Sequence, residues 1–252
     1  MHHSFIIGSW SRGHRRSATS LVFYLCTCFC LWGCEAIPEL EGLLVPSGQG
    51  ELSEQSIAAG LREALDVGSG RAVDSLGRAD GFLNSAFHIP LPEELRQARA
   101  VAASIGLDGI FEDLEVRLNR AAEAAAPQAK ALFVNAVRQL TFQDVMSIYS
   151  GADDAATQYM RRTTEARLRA QMRPIIDRSL SEVGALRMYE DLVNRYNRIP
   201  LVQPLNADVT GHVLTLAGNA LLTRLAQEEG AIRREPAKRT TQLLRQVFGN
   251  RY

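Results

Sequence analysis

Cysteine is absent from this 252-residue sequence after position 34, and tryptophan is absent after position 32. A domain formed by the later residues therefore contains no disulfide bond. The same absence excludes a cysteine nucleophile and a metal site built from thiolates in that part of the chain. Any catalytic or binding chemistry there must come from other side chains.

Histidine is also scarce, because only His88 and His212 follow residue 34. They do not form a pair at metal-ligand spacing, and the chain has no HExxH motif, phosphate-binding Walker loop or dinucleotide-binding glycine pattern. A Ser-His-acid triad would have to use one of these two histidines. A lone histidine is more often a structural residue, so we predict no catalytic residue, no metal site and no cofactor.

Lysine is nearly missing, since only Lys130 and Lys238 occur and 26 of the 28 basic residues are arginine. Arginine suits phosphate and carboxylate groups, which makes lipid head groups or anionic glycans conceivable partners. The arginine-rich stretches 161–178 and 233–245 are, however, more typical of solvated helix faces. After residue 34 the charge is 25 basic against 28 acidic residues, or −3, which does not favour a nucleic-acid partner.

The N-terminal region has the pattern of an export signal. Residues 1–19 contain no acidic side chain and carry Arg12, Arg15 and Arg16. The apolar stretch 21–32 that follows has the length of a signal-peptide core and is short for a membrane span. We therefore predict that residues 1–34 are a signal peptide.

All four cysteines lie in the segment FYLCTCFCLWGC, which ends at Cys34. Its last four residues, 31–34, resemble the lipobox of bacterial lipoproteins, although Trp32 replaces the usual small residue. The resemblance implies that Cys34 becomes the acylated first residue of the exported protein. An ordinary signal peptide cut near residues 34–36 and an uncleaved anchor are the alternatives.

This interpretation divides the chain into a signal peptide, a flexible tether at 35–51 and a helical domain at 52–252. The tether prediction rests on Pro38, Pro46 and three glycines. We expect the domain in the cell envelope, on the periplasmic face of a membrane and held there by the N-terminal lipid. An envelope protein or a lipid is a conceivable further partner.

The period of apolar residues after position 52 is helical almost throughout, and no alternating strand or repeat is evident. Ser53 can cap the first helix, and Thr141 with Asp144 matches a capping box in outline. A long helix is predicted from Asp153 to about Met172, with a bend near Pro174. Short helices broken by proline and glycine predict an all-α, irregular, partly orthogonal multi-helix bundle in a single domain.

One segment, 77–91, combines turn residues with large apolar side chains outside any predicted helix. These side chains are Phe82, Leu83, Phe87, Ile89 and Leu91. A loop this apolar must be covered, so we expect it to pack across the bundle. It could instead form the rim of a groove for a lipid or a peptide.

The most concentrated polar segment begins at Gly151 and supplies our candidate ligand-binding residues. They are Asp153, Asp154, Gln158, Tyr159, Arg161 and Arg162. Asp153 and Asp154 could bind a divalent cation together with Asp144 or Glu123. The simpler interpretation is that Asp153 caps the following helix and Asp154 interacts with its positive end.

Four segments of the sequence together resemble a family of exported, helical bacterial proteins that is defined only as a domain of unknown function. They are GRADGFLNSAFHIPLPEEL, LNRAAEAAAPQAKALFVNAVRQLTFQD, GADDAATQYMRRTT and AQEEGAIRREPAKRTTQLLRQVFG. The resemblance extends over residues 52–249. It implies an envelope location and one helical domain, and it brings no activity, cofactor or site residue.

Three functional hypotheses follow from these features. The first is an envelope lipoprotein with a non-enzymatic binding or interaction domain. The second is a periplasmic carrier of a hydrophobic ligand, with the 82–91 loop as its rim. The third is a metal-dependent hydrolase that uses Asp144, Asp153 and Asp154. The sequence favours the first, because no recognisable catalytic set is present.

Overall fold

The computed structural model describes residues 52–104 and 106–249, and these residues belong to one compact unit. Cys34 and the 35–51 segment lie outside the described residues. The described chain is all-α, as predicted, with nine α-helices and two short 3₁₀ helices. The α-helices are α1 (Glu54–Gly77), α2 (Glu93–Ala103), α3 (Asp108–Ala125), α4 (Ala129–Arg138), α5 (Phe142–Ser150), α6 (Ala155–Glu182), α7 (Ala185–Tyr196), α8 (Val209–Arg234) and α9 (Gln242–Phe248).

Helices α1 and α8 form the centre of the bundle. The first packs against α8, α4, α5 and α9, and the second also packs along α6. Leu61 and Leu65 of α1 and Leu225 of α8 are almost completely buried. Gly60 lets α9 approach closely, because a Cβ atom there would come within 2.5 Å of a methyl group of Val247. The core therefore lies between these elements, and the other helices cover it.

The helix ends confirm part of the sequence prediction. Ser53 caps α1, and its side chain accepts a hydrogen bond from the N–H of Ser56. Thr141 and Asp144 form the predicted capping box at the start of α5. Helix α6 begins at Ala155, two residues later than predicted. It is nevertheless longer than predicted, because it continues through Pro174 to Glu182. Proline is tolerated because the residue four positions earlier is exposed, so water can satisfy the carbonyl that loses its partner.

The 78–92 segment packs onto the bundle, as the first interpretation of its apolar side chains predicts. Phe82, Ile89 and Leu91 are at most 1% exposed, and Phe87 is partly buried against the core. Leu83 is half-buried. Full burial of each such side chain contributes about 1.5–3 kcal/mol. Phe82, Ile89 and Leu91 are therefore part of the core and do not line a groove.

Side chains of α3 hold this segment through its backbone. Asn119 accepts a hydrogen bond from the N–H of Ile89 at 2.9 Å and donates one to its carbonyl at 2.8 Å. Glu123 accepts from the N–H groups of Phe82 and Leu83 at 3.1 and 3.2 Å. Glu115 accepts from the N–H of residue 91 at 3.0 Å. Because the three acceptors are spaced four residues apart, they lie on one face of α3.

Both histidines after residue 34 help to fix the same segment. His88 contacts the carbonyl of Leu83 and the carboxylate of Glu115, each at 2.9 Å. His212 of α8 contacts the carbonyl of Pro90 at 2.7 Å. Their positions agree with the predicted structural role.

None of the helices in the described part of the chain has the length and apolarity needed to span a bilayer.

Candidate functional site

The junction between α5 and α6 contains the polar segment that the sequence singled out. Helix α5 ends at Ser150, and α6 begins five residues later at Ala155. A Cβ atom on Gly151 would lie 2.8 Å from the Cβ of Ala155, so a larger residue would push the two helix ends apart. Small residues at this turn leave a space between the helices.

That space is an open, largely polar cleft of about 270 Å³. It brings together four of the residues that the sequence analysis named: Asp144, Gln158, Tyr159 and Arg162. The remaining lining residues are Ser147, Ile148, Gly151, Ala152 and Ala155. The cleft thus combines a carboxylate, an amide, a phenol and a guanidinium group with a few apolar contacts.

Asp144 and Tyr159 are joined across the cleft. The Tyr159 hydroxyl donates to Oδ2 of Asp144 at 2.9 Å, and the same oxygen accepts from Thr141 Oγ1 at 2.6 Å and from the Thr141 N–H at 2.9 Å. These bonds to Thr141, assisted by the one from Tyr159, lower the pKa of Asp144. Asp144 is therefore an anion held in a fixed position.

Burial raises the pKa of the Tyr159 phenol, and its bond to Asp144 acts in the same direction. The positive charge of Arg162, which lines the same cleft, opposes this shift. Arg162 is exposed and has no hydrogen bond or ion pair with another described residue. Tyr159 therefore stays protonated, and Arg162 remains available for a ligand.

Two buried charges of α8 hold the ends of the helices that form the cleft. Glu229 is 4% exposed and accepts hydrogen bonds from the N–H groups of Ala156 and Thr157 at 3.0 and 2.9 Å. It also accepts from the Thr157 hydroxyl at 2.9 Å and from Arg233 at 2.9 Å. Glu229 therefore satisfies the N-terminal N–H groups of α6, which normally require a cap.

Arg233 performs the matching role at the end of α5. Its side chain is 1% exposed and donates to the carbonyls of Ile148 and Tyr149 at 3.1 and 3.4 Å. Its guanidinium carbon lies 5.9 Å from the centre of the Phe248 ring. Burial raises the pKa of Glu229, while Arg233 and the α6 donors act in the opposite direction. The pair ties α5 and α6 to one helix.

Local sequence patterns do not predict this pair, and the 233–245 stretch is typical of a solvated face. That interpretation is wrong for Arg233 and for Arg239, which is 7% exposed and donates to the carbonyls at the end of α8. A signal was present, because Glu229 and Arg233 continue the apolar stripe of Leu222 and Leu225 at helical spacing. Charges on such a stripe indicate burial with a partner.

The structure also corrects the capping role assigned to Asp153. Asp154 is the residue that precedes α6, and it makes no side-chain capping bond because Glu229 takes the N–H groups. Asp153 instead forms an ion pair with Arg234 of α8. Asp154 accepts from the amide of Gln158 at 2.9 Å.

The remaining candidates lie away from the cleft. Arg161 donates to Asn219 of α8 at 3.2 Å, and Glu123 binds the 78–92 segment. Among the residues described, no group of three or more histidine, cysteine, aspartate or glutamate side chains is arranged to hold a metal ion. The arrangement proposed for a metal-dependent hydrolase, with Asp144 beside Asp153, is thus not formed by these residues.

An apolar cavity lies between α6 and α8, beside Leu168, Met172 and Leu221. Its volume is about 30 Å³, enough for one or two water molecules. Ligand pockets for small organic molecules are roughly ten times larger. This cavity offers no room for a hydrophobic ligand of lipid size.

Comparison with known proteins identifies a family and no activity. A family model described as "Protein of unknown function (DUF4197)" matches residues 51–249, which is well over half of the chain. No curated protein and no solved structure matches the sequence. The match confirms that the four sequence segments belong to a domain of unknown function, and it covers every helix of the bundle. The chain therefore belongs to the DUF4197 family of proteins of unknown function.

Proposed function

We propose that this protein is an exported, lipid-anchored binding domain without catalytic activity, and that the α5–α6 cleft receives its ligand. The observation that carries the proposal is the exposed, unpaired Arg162 beside the fixed Asp144–Tyr159 pair in one cleft. Few polar groups placed precisely in a concave site are typical of small-ligand binding. Their support by Glu229 and Arg233 gives the cleft a defined shape before a ligand arrives.

The cleft favours binding over catalysis because it lacks an activated nucleophile. Ser147 lines it, but no hydrogen bond joins its hydroxyl to a histidine or carboxylate among the described residues. Nucleophilic catalysis by serine requires such a base within reach. Asp144 has a lowered pKa, which makes it a weak base at neutral pH.

The anchor is proposed from the sequence around Cys34. Acylation there would hold the domain at a membrane, and the 35–51 segment could reach at most about 60 Å when extended. A domain tethered in this way needs no membrane-spanning helix of its own.

Two measurements test the proposal. Fractionation of the native host should find the wild-type protein with membranes and the Cys34→Ala variant in the soluble envelope fraction. Native mass spectrometry of protein purified from that host should show a bound small molecule that the Arg162→Gln variant loses. A membrane-bound Cys34→Ala variant would contradict the anchor, and a ligand retained by Arg162→Gln would contradict the assignment of the cleft.

A further inference from the structure

The cleft presents two opposite charges that do not satisfy each other. Asp144 and Arg162 both line it, yet no ion pair joins them. Asp144 is held by Thr141 and Tyr159, which fixes the carboxylate on its own side of the cleft. A carboxylate and a guanidinium group therefore face one small space without an ion pair between them.

Asp144, Gln158 and Arg162 each keep hydrogen-bonding groups that no described residue uses. All three described bonds of Asp144 end on Oδ2, so Oδ1 keeps its acceptor sites. Gln158 donates its amide N–H to Asp154, which leaves its amide oxygen as an acceptor. Arg162 has five donor N–H groups and no described acceptor. Neighbouring charges are already engaged, since Asp153 pairs with Arg234.

These groups select against ligands with a single charge. An anion alone would bind Arg162 but would be repelled by Asp144. A cation alone would bind Asp144 but would be repelled by Arg162. A ligand with both charges satisfies both sides through charge-assisted hydrogen bonds. The volume of about 270 Å³ lies just below the usual range for drug-sized ligands, and Ile148, Ala152 and Ala155 offer contact to a small aliphatic side chain.

We infer that the α5–α6 cleft binds a small zwitterion of the amino acid or dipeptide class, with its carboxylate on Arg162 and its ammonium group on Asp144. This inference rests on the proposed function and names the ligand class of the same cleft. It predicts that both ends of the ligand must be charged.

Four probes separate the ligand classes by calorimetry or by amide chemical-shift titration of the purified protein. They are alanyl-alanine, its N-acetylated form, its C-terminal amide and glucose. Alanyl-alanine should bind, and each blocked form should bind about tenfold more weakly, because each loses one charge-assisted contact. Glucose should bind no better than the blocked forms.

Two variants assign the ends of the ligand. Arg162→Gln should weaken the zwitterion and the N-acetylated form while it leaves the amide unaffected. Asp144→Asn should weaken the zwitterion and the C-terminal amide while it leaves the N-acetylated form unaffected. Arg178→Gln is the matched control, because Arg178 is an exposed arginine of α6 that does not line the cleft and has no described ion pair. It should change none of the affinities.

Several outcomes would overturn the inference. They are equal binding of the blocked and unblocked dipeptides, tighter binding of glucose, and no binding of alanyl-alanine at millimolar concentration. The proposed function would survive these outcomes if host-purified protein retained a ligand of another class that Arg162→Gln loses. Retention of the host ligand by Arg162→Gln would overturn both.

Discussion

Three glutamates of this protein bind backbone N–H groups of segments that are distant in the sequence. Glu229 holds the start of α6, while Glu123 and Glu115 hold the 78–92 segment. A carboxylate that accepts several N–H bonds replaces the water that a buried helix end or loop would lose. At the scale of single residues, removal of one of these acceptors leaves backbone N–H groups without a partner.

Removal of Glu229 should therefore be costly. Glu229→Ala should lower the free energy of unfolding by about 3–5 kcal/mol, because it leaves Arg233 buried without its partner. Urea denaturation measures the change. Glu235→Ala is the control, since Glu235 is an exposed acid just after α8. A loss below about 1 kcal/mol for Glu229→Ala would show that water or another group replaces the carboxylate.

Substitution of Leu201 by glycine should stabilise the protein, in contrast to Glu229→Ala. It has a φ of 64° and is fully exposed, so its side chain contributes no packing. A left-handed conformation costs a non-glycine residue about 1–2 kcal/mol, and glycine loses about 0.5–1 kcal/mol through chain entropy. Leu201→Gly should therefore raise the free energy of unfolding by up to about 1 kcal/mol. Val202→Gly, beside it at ordinary φ, should lower stability.

Asp144 should contribute to the dependence of stability on pH. Its pKa is lowered in the folded protein by Thr141, so the folded state binds fewer protons than the unfolded state. This contribution is present above the unfolded value, near pH 4, and is lost as pH falls through the folded value. Thermal melting at several pH values should show a shallower acid decline for Asp144→Asn. Asp74→Asn, at an exposed site of α1 without a described bond, should leave the decline unchanged.

At the scale of elements, α3 and the 78–92 segment form one unit. Asn119→Ala should lower the free energy of unfolding by about 2–4 kcal/mol, because the N–H and the carbonyl of Ile89 would be left buried and unpaired. Chemical denaturation tests this prediction. Asn135→Ala is the matched control at an exposed position. An equal effect of both variants would contradict the proposed role of Asn119.

Many features of the helices and of the 78–92 segment were predictable from local sequence. The helical period located the bundle, Thr141 with Asp144 gave the capping box, and five large apolar residues showed that the 78–92 segment must be covered. The end of α6 was not predictable, because tolerance of Pro174 depends on the exposure of a carbonyl one turn away. Local sequence patterns thus predict where a helix starts, but they do not predict an end that depends on the surrounding tertiary structure.

The candidate cleft was predictable only in part, for a physical reason. Gln158, Tyr159 and Arg162 were named from one polar helix, and their meeting with Asp144 requires the turn between α5 and α6. Glu229 and Arg233 lie more than 70 residues further along the chain from the α6 and α5 ends that they hold. Their helical spacing indicates that they are buried, but the helix ends that they bind depend on how α8 packs, which no local spacing encodes.

At the scale of the whole molecule, the absence of cysteine and tryptophan after residue 34 has a measurable result. Protein cut at Cys34 should show tyrosine emission without a tryptophan component, because Trp10 and Trp32 are removed. Its thermal midpoint should be the same with and without reductant, since no disulfide can form. Tryptophan emission from protein purified from the native host would show that residues 1–34 are retained and would contradict cleavage at Cys34.

The position of Glu229 and Arg233 near the C-terminus also fixes when the cleft can exist. The residues of the cleft are complete once position 162 has been made, but the groups that hold α5 and α6 together come from positions 229 and 233. A growing or truncated chain that ends before them carries every cleft residue without the cleft. Because contacts at this sequence separation close late, ligand binding would report that the last part of the chain has joined the fold.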